Sequence, residues 1–293
     1  MHIFLEQLAK EAEKQNRCLF RIAEMKDGAL ETLELRPAPA CQDCYSIAKV
    51  FTMTAIGLLW DRGILDPGER ICEILAGDCP PGMDPRWREV TVDMALRHQC
   101  GLPAGFLDID AQDPYSFGSR DFLRYLLETP PVYPPGARSL YGDGAYYLLS
   151  RVVSKKAGRP LDDFLWETLF WPLQVREAAW SRCPLGYPMG ATGLFIRTED
   201  LAKLGAVYLQ GGLYGGKRIL SARWIALALA RGYELRPAGP GGALGKAGMF
   251  GQMLLILPAQ NRAVAWQGYD QKGGGALAEW AAGFRDSAAS GNF

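Results

Sequence analysis

Histidine and asparagine are scarce in this 293-residue chain, which has two histidines and three asparagines. The histidines are His2 and His98, and no His-Glu-x-x-His motif or comparable group of His, Cys and carboxylate residues is present. A zinc hydrolase needs such ligands at set spacings, so we predict no metal and no other cofactor. A Ser-His-Asp triad would have to use His98, yet no serine lies in a Gly-x-Ser-x-Gly elbow.

An excess of charge of either sign is also lacking, since 32 basic residues balance 32 acidic residues. Nucleic-acid grooves and polybasic membrane patches need a surplus of Lys and Arg, so neither is expected here. No run of 18 apolar residues occurs, and therefore no transmembrane helix is predicted. The expected partner is a small-molecule substrate.

The first residues show no charged segment followed by a long apolar stretch, as an export signal would. The seven cysteines are scattered, and we expect reduced thiols in a cytoplasmic protein. Cys41 and Cys44 form a lone Cys-x-x-Cys pair, for which incidental small residues are the favoured interpretation and a redox or metal site is the alternative. Residues 211–217 resemble a phosphate-binding loop, but Arg218 stands where the loop needs Ser or Thr, which favours a glycine-rich turn.

The order of predicted elements is strands, many helices, then strands again. Residues 18–35 alternate around Asp27-Gly28 as a hairpin does, and residues 46–63 are apolar on nearly all sides, as in a buried helix. Two further strands are predicted at 249–257 and 262–267. We predict an α+β fold with an antiparallel β-sheet built from both chain ends, flanked by helices, and an all-helical inserted domain. The predicted boundaries are 1–62 plus 188–293 for the sheet domain and 63–187 for the helical domain.

Ser46 and Lys49 are three residues apart at the start of the predicted buried helix. One helical turn brings such side chains within hydrogen-bond reach. Burial disfavours the charged form of a lysine, which predicts a lowered pKa and an amine that accepts the serine proton. The spacing alone is weak evidence, because ten serines and ten lysines give about 0.3 Ser-x-x-Lys pairs by chance.

Several other short motifs accompany this pair between about residues 18 and 270. They are Ala-Leu-Arg-His-Gln-Cys-Gly-Leu at 95–102, Tyr-Pro-Pro-Gly at 133–136, Tyr-Gly-Asp at 141–143, a Gly-Leu…Thr-x-x-Asp-Leu-Ala-Lys block from 193, and Lys-Ala-Gly-Met-Phe-Gly-Gln at 246–252. In this order the segments resemble the serine β-lactamase and penicillin-binding-protein superfamily. The branch they are most similar to is class C-like and includes esterases, aminohexanoate-oligomer hydrolases and D-aminopeptidases.

The resemblance implies catalytic residues and a binding site. Ser46 would be the acylated nucleophile, Lys49 its general base, and Tyr141 the group that relays the proton to the leaving group. The backbone N–H groups of Ser46 and Met249 would form the oxyanion hole. Lys246 would orient a substrate carboxylate or Tyr141, and the binding side of the site would be completed by Asp143, Gly248 and Met249. His98 would be a structural histidine near a helix end.

Two positions depart from the family pattern. Asp143 stands where the family usually has Asn, and a carboxylate accepts hydrogen bonds but cannot donate one to a substrate carbonyl. Ala247 replaces the hydroxyl residue of the Lys-Thr-Gly motif. We therefore predict a β-lactamase-related serine hydrolase that cleaves a small ester, amide or peptide through an acyl-enzyme. The alternatives are a true β-lactamase or D,D-peptidase, and a non-catalytic penicillin-binding-like scaffold or sensor.

Overall fold

The computed structural model describes residues 3–271 and 273–285. Its main sheet joins both ends of the chain and has six strands, in the order 29–34, 19–26, 262–268, 253–257, 244–247 and 236–237, with antiparallel pairing between neighbours. Helices pack on both faces of this sheet, so the predicted α+β class with an antiparallel sheet built from both ends is confirmed. Parts of the predicted sheet domain, 1–2, 272 and 286–293, lie outside the described residues.

The strands and helices have the following bounds. The strands are β1 Leu19–Lys26, β2 Ala29–Glu34, β3 Cys41–Asp43, β4 Ala178–Trp180, β5 Leu194–Arg197, β6 Leu213–Tyr214, β7 Lys217–Arg218, β8 Arg236–Pro237, β9 Leu244–Ala247, β10 Met253–Leu257 and β11 Arg262–Gly268. The helices are α1 Ile3–Lys14, α2 Ala48–Asp61, α3 Ile71–Ile74, α4 Val92–Leu96, α5 Phe122–Glu128, α6 Gly144–Ala157, α7 Leu161–Leu165, α8 Thr198–Leu209, α9 Ala222–Ala230 and α10 Gly275–Gly283.

The middle of the chain is helical from α3 to α7, as its periodicity predicts. One strand, β4, nevertheless lies inside the range 63–187 that we predicted to be all-helical, because it pairs with β5 in a small second sheet with β3. The predicted helix at 91–102 ends early, at Leu96, since His98 has a left-handed φ of 56°. The predicted strand at 249–257 begins only at Met253, after a turn in which Gly251 has φ 83°.

Helix α2 runs through the centre of the molecule. Its residues from Ala48 to Leu59 are all buried, which explains why its sequence is apolar on every side. Gly57 lets α9 approach closely, because a Cβ at this position would lie 2.3 Å from the indole nitrogen of Trp224. This central position fixes the start of α2, where Ser46 and Lys49 lie, against the rest of the fold.

Two apolar cores lie on opposite faces of the main sheet. On one face α8 packs against the strands, and the larger core continues from it to α2 and α6; on the other face the smaller core packs α1 and α10 against the strands. Among the described helices, none is both long enough and apolar enough to cross a membrane. Helices thus cover both faces of the sheet. Near the β8–β9 edge, β9 contacts the turn that contains Ser46.

Candidate active site

Ser46 lies in a tight turn, Tyr45–Ile47, that leads directly into α2. The residue before it, Tyr45, has a φ of 48°, in the left-handed region that side chains seldom adopt. This conformation is held by Asp43, whose carboxylate accepts a hydrogen bond of 2.7 Å from the Tyr45 N–H. Backbone strain of this kind is typical of functional sites, where it holds a side chain in place. Ser46 itself is half-buried.

Lys49 lies one turn further along and is fully buried. Its Nζ donates hydrogen bonds to Ser46 Oγ at 3.0 Å, Asp143 Oδ1 at 2.7 Å and the Ala191 carbonyl at 3.0 Å. Burial lowers the pKa of Lys49, but the Asp143 carboxylate, with Tyr141 and Glu234, outweighs burial and raises this pKa above its ordinary value. Our prediction of a lowered pKa is therefore wrong, because an aspartate faces the ammonium. The raised pKa favours the ammonium form of Lys49.

Asp143 has a different environment from the one predicted. We placed it on the binding side of the site, where it would face substrate. The structure buries it with only 5% of its surface exposed, and its carboxylate forms an ion pair with Lys49. It is not among the residues that line the cavity in front of Ser46. The role of Asp143 in substrate binding stays a prediction, but one of its carboxylate oxygens already pairs with the lysine.

Tyr141 is half-exposed and lies between two lysines. Lys246 Nζ donates a hydrogen bond of 3.0 Å to the Tyr141 hydroxyl, and it lies 4.6 Å from the centre of the ring. Lys49 Nζ lies 4.8 Å from the same ring centre. Ser46, Lys49, Tyr141 and Lys246 thus meet in one place, although 200 residues separate the first from the last.

Sequence reasoning missed Glu234, which lies just before β8. Glu234 is buried, with 3% of its surface exposed, and its carboxylate forms an ion pair with Lys246 and a hydrogen bond of 2.8 Å with His98 Nε2. Burial raises the pKa of Glu234, but Lys246 and His98 outweigh burial and the pKa lies well below its ordinary range. The signal in the sequence is a lone acid between two apolar residues, Tyr233 and Leu235, both of which are buried.

His98 was predicted to be structural, and the structure places it against the site. Its ring packs against the Tyr141 ring at an interplanar angle of 42°, with 4.6 Å between centroids, and its Nε2 is hydrogen-bonded to Glu234. The left-handed φ of His98 turns the chain out of α4 at this point. The imidazole therefore packs against the Tyr141 ring, and its Nε2 holds the Glu234 carboxylate that pairs with Lys246.

Gly248 brings the end of β9 against the Ser46 turn. A Cβ at this position would lie 2.8 Å from the Cys44 carbonyl and 2.6 Å from Gln252 Oε1, so a glycine is required for this approach. Met249 follows and is half-exposed beside Ser46. A cavity of about 550 Å³ opens here, and the residues that line it include Ser46, Tyr141, Glu234, Arg236, Lys246, Gly248 and Met249.

Behind Lys49, three carboxylates come together. Ligand oxygens of Asp108, Asp110 and Asp143 lie within 4.8 Å of one another, an arrangement that could hold a metal ion. Asp143 already pairs with the Lys49 ammonium, which supplies positive charge to this cluster. Burial raises the pKa of Asp110 to about 6, assisted by Asp143 and opposed by a hydrogen bond from Thr192.

Asp43 provides a pH-dependent prediction. Burial raises its pKa to about 7, so the folded protein binds a proton there that the unfolded chain releases at lower pH. Stability is therefore expected to fall as pH rises from about 4 to 7 through this group. The variant Asp43→Asn keeps an oxygen that accepts from the Tyr45 N–H, but its side chain does not ionise. It therefore avoids the pH-dependent loss of stability, which amounts to about 4 kcal/mol at most. Thermal melts should show the variant more stable than wild type at pH 8 and similar to it at pH 5; parallel curves would contradict the prediction.

Cys41 is the first residue of β3 and Cys44 directly follows this strand, and both are free thiols. Burial raises the pKa of Cys41 to about 11 and raises that of the fully buried Cys44 well above its ordinary value. Both shifts disfavour the thiolate that redox or metal chemistry needs.

Comparisons with known proteins find similar sequences and similar folds. A family model described as Beta-lactamase matches residues 41–276. An N-acetylmuramyl-L-alanine amidase of Bacillus subtilis is 28% identical over 151 residues, which cover 50% of this chain and 34% of the relative. The chain spans less than two thirds of the length of this and other curated relatives that it matches.

Solved structures share the fold at low sequence identity. A penicillin-binding protein homologue from Caulobacter crescentus superposes with a TM-score of 0.73 at 18% identity, covering 95% of this chain and 94% of that one. A family VIII carboxylesterase superposes with a TM-score of 0.72 at 16% identity, covering 95% and 96%. Both likenesses concern the arrangement of helices and strands.

Proposed function

Because this chain belongs to the beta-lactamase family, whose members are hydrolases, we propose that it is a serine hydrolase that cleaves a small ester, amide or peptide through an acyl-enzyme. The observation that supports this proposal most directly is the contact between Ser46 Oγ and Lys49 Nζ at 3.0 Å, beside a cavity that Tyr141 also lines. A nucleophile needs a proton acceptor, a charge that stabilises its oxyanion, and access to substrate. This site supplies candidates for all three.

In the proposed acylation, Ser46 Oγ forms a bond to the substrate carbonyl carbon. With Lys49 as an ammonium, Tyr141 takes the serine proton and passes its own proton to the leaving oxygen or nitrogen. The bond from the carbonyl carbon to that atom then breaks. The start of α2 and the N–H groups of Ser46 and Met249 face the developing oxyanion, and a donor of this kind contributes about 10²–10³ in rate.

In deacylation, water takes the place of the leaving group. Tyr141 accepts a proton from the water as the new bond to carbon forms, and it returns a proton to Ser46 Oγ as the ester breaks. The same proton path therefore serves both half-reactions in opposite directions. Lys246, held by Glu234, keeps the Tyr141 hydroxyl in position through its hydrogen bond.

The substrate is proposed to be an ester, amide or peptide rather than a β-lactam. Asp143 cannot donate a hydrogen bond to a substrate carbonyl, and its carboxylate is committed to Lys49. Ala247 offers no hydroxyl for a substrate carboxylate. The rest of the cavity is lined largely by apolar side chains such as Pro237, Met249 and Met253, which suits a compact acyl group.

Intact-protein mass spectrometry after exposure to a fluorophosphonate, and separately to a penicillin, tests the proposal. We expect one fluorophosphonate adduct in wild type, none in Ser46→Ala, and no lasting or turned-over penicillin adduct. Rapid penicillin hydrolysis would favour a β-lactamase or D,D-peptidase. A permanent adduct with an ester substrate would favour a scaffold, and absence of any adduct would overturn the enzymatic proposal.

A further inference from the structure

The side chain of Lys49 has three hydrogen-bond partners, one of which is a buried carboxylate. The three partners are Asp143 Oδ1, Ser46 Oγ and the Ala191 carbonyl oxygen, all within 3.0 Å. An ammonium has three N–H donors, whereas a neutral amine has two donors and a lone pair. The Asp143 carboxylate and the Ala191 carbonyl can only accept, so two N–H groups of Lys49 point at them, whereas the Ser46 hydroxyl can accept the third N–H or donate to a lone pair. What favours the ammonium is the buried Asp143 carboxylate at 2.7 Å from Nζ.

The side chain of Asp143 contacts Lys49 and does not cap helix α6. It occupies the residue just before α6, where an aspartate side chain ordinarily accepts a hydrogen bond from the first turn of the helix. Here its side chain makes no such bond. Its backbone N–H donates to the Phe106 carbonyl instead, which fixes the residue so that the carboxylate points at Lys49.

We propose that Asp143 is a positioning residue that keeps Lys49 an ammonium throughout the reaction, so that Lys49 orients and stabilises Ser46 Oγ and never takes its proton. This inference rests on the proposed serine hydrolase function and assigns the proton path within it. An asparagine at this position would offer an oxygen without a charge. The buried lysine would then lose its counter-ion, and neutral Lys49 would become accessible at ordinary pH.

Other charged groups also surround Lys49. Lys246 adds a second positive charge across the Tyr141 ring, and its own counter-ion is Glu234. Asp110 lies beyond Asp143 and does not bond Lys49. The titratable groups that face Lys49 from the elements around it are Cys44, Asp110, Tyr141, Asp143 and Glu234.

The test compares wild type with Asp143→Asn and with Asp110→Asn, a matched control that removes a neighbouring carboxylate with no bond to Lys49. The rate of fluorophosphonate labelling is measured from pH 6 to 10, because this probe reports the nucleophile without a known substrate. We expect wild type and Asp110→Asn to keep their labelling rate up to pH 10. Asp143→Asn should lose labelling on the alkaline side, with a midpoint about one to three pH units below that of wild type.

Two results would overturn the inference. If Asp143→Asn labels faster than wild type at pH 7, neutral Lys49 is the base and Asp143 only suppresses it. If the two profiles coincide, Asp143 does not set the charge of Lys49. A wild type that forms no Ser46-dependent adduct would instead contradict the proposed function itself, so the two failures are distinguishable.

A second measurement needs no substitution and covers the case in which Asp143→Asn does not fold. Wild-type protein labelled with ¹³C at lysine Cε is titrated by NMR, and the Lys49 signal is identified by its shift when Ser46 is phosphonylated. We expect that signal to remain at the ammonium position from pH 6 to 10. A titration of Lys49 within this range would contradict the inference.

Discussion

Ser46→Ala should reduce hydrolysis of an activated ester such as p-nitrophenyl butyrate by about 10⁴-fold or more, because it removes the oxygen on which the proposed acyl-enzyme forms. The fold should tolerate the change. Lys49 keeps two of its three acceptors, Asp143 and the Ala191 carbonyl, and Ser46 is only half-buried. The melting temperature is therefore expected to move by no more than about 2 °C.

Ser116→Ala is the matched control, since Ser116 is exposed in the loop before α5. Steady-state kinetics and thermal melts of both variants separate the contribution to the reaction from the contribution to stability. Full activity in Ser46→Ala would contradict the acyl-enzyme mechanism. A large fall in its melting temperature would show instead that Ser46 is needed mainly for the fold.

Removal of Glu234 should have the largest effect on stability. Glu234→Ala leaves Lys246 and His98 without the carboxylate between them, in a site where the Glu234 side chain is 4% exposed. Breaking a buried ion pair by removing one partner costs about 3–5 kcal/mol. Activity should fall as well, by up to about 100-fold, because Lys246 no longer holds the Tyr141 hydroxyl.

Glu128→Ala provides the comparison for an exposed ion pair. Glu128 pairs with Arg124 at 2.7 Å, but both side chains are about half exposed, so the loss should be no more than about 1 kcal/mol. Urea unfolding at pH 7 measures both variants. Glu234→Ala should lose at least about twice as much free energy of unfolding as Glu128→Ala. Equal losses would contradict the prediction that burial makes the Glu234 contacts more stabilising than an exposed ion pair.

The pH dependence of this effect follows from the lowered pKa of Glu234. A carboxylate with a lowered pKa stabilises the fold above its ordinary pKa, and this contribution disappears as pH falls through its folded value. Glu234→Gln should therefore be less stable than wild type at pH 7. The difference should shrink only in strongly acidic solution, which urea unfolding across pH can follow.

Local sequence patterns predict much of the fold. The hairpin of β1 and β2, the buried helix α2 and the strands β10 and β11 lie close to the predicted positions because hydrophobic periodicity is set by neighbouring residues. The antiparallel sheet built from both chain ends also follows from the order of elements. The short strands β3, β4, β5 and β8 were missed, since they are formed by pairing with distant segments rather than by a local pattern.

For the site, sequence alone determined that Ser46 and Lys49 lie together, because three residues make one helical turn. The family motifs pointed to Tyr141 and Lys246 as their neighbours. Only the tertiary structure brings Lys49 against the carboxylate of Asp143, 94 residues away, and the proposed charge of Lys49 depends on this contact. It likewise decided the positions of Glu234 and His98 around Tyr141. Burial and electrostatic pairing depend on which distant side chains meet, and the spacing of residues along the chain does not specify these.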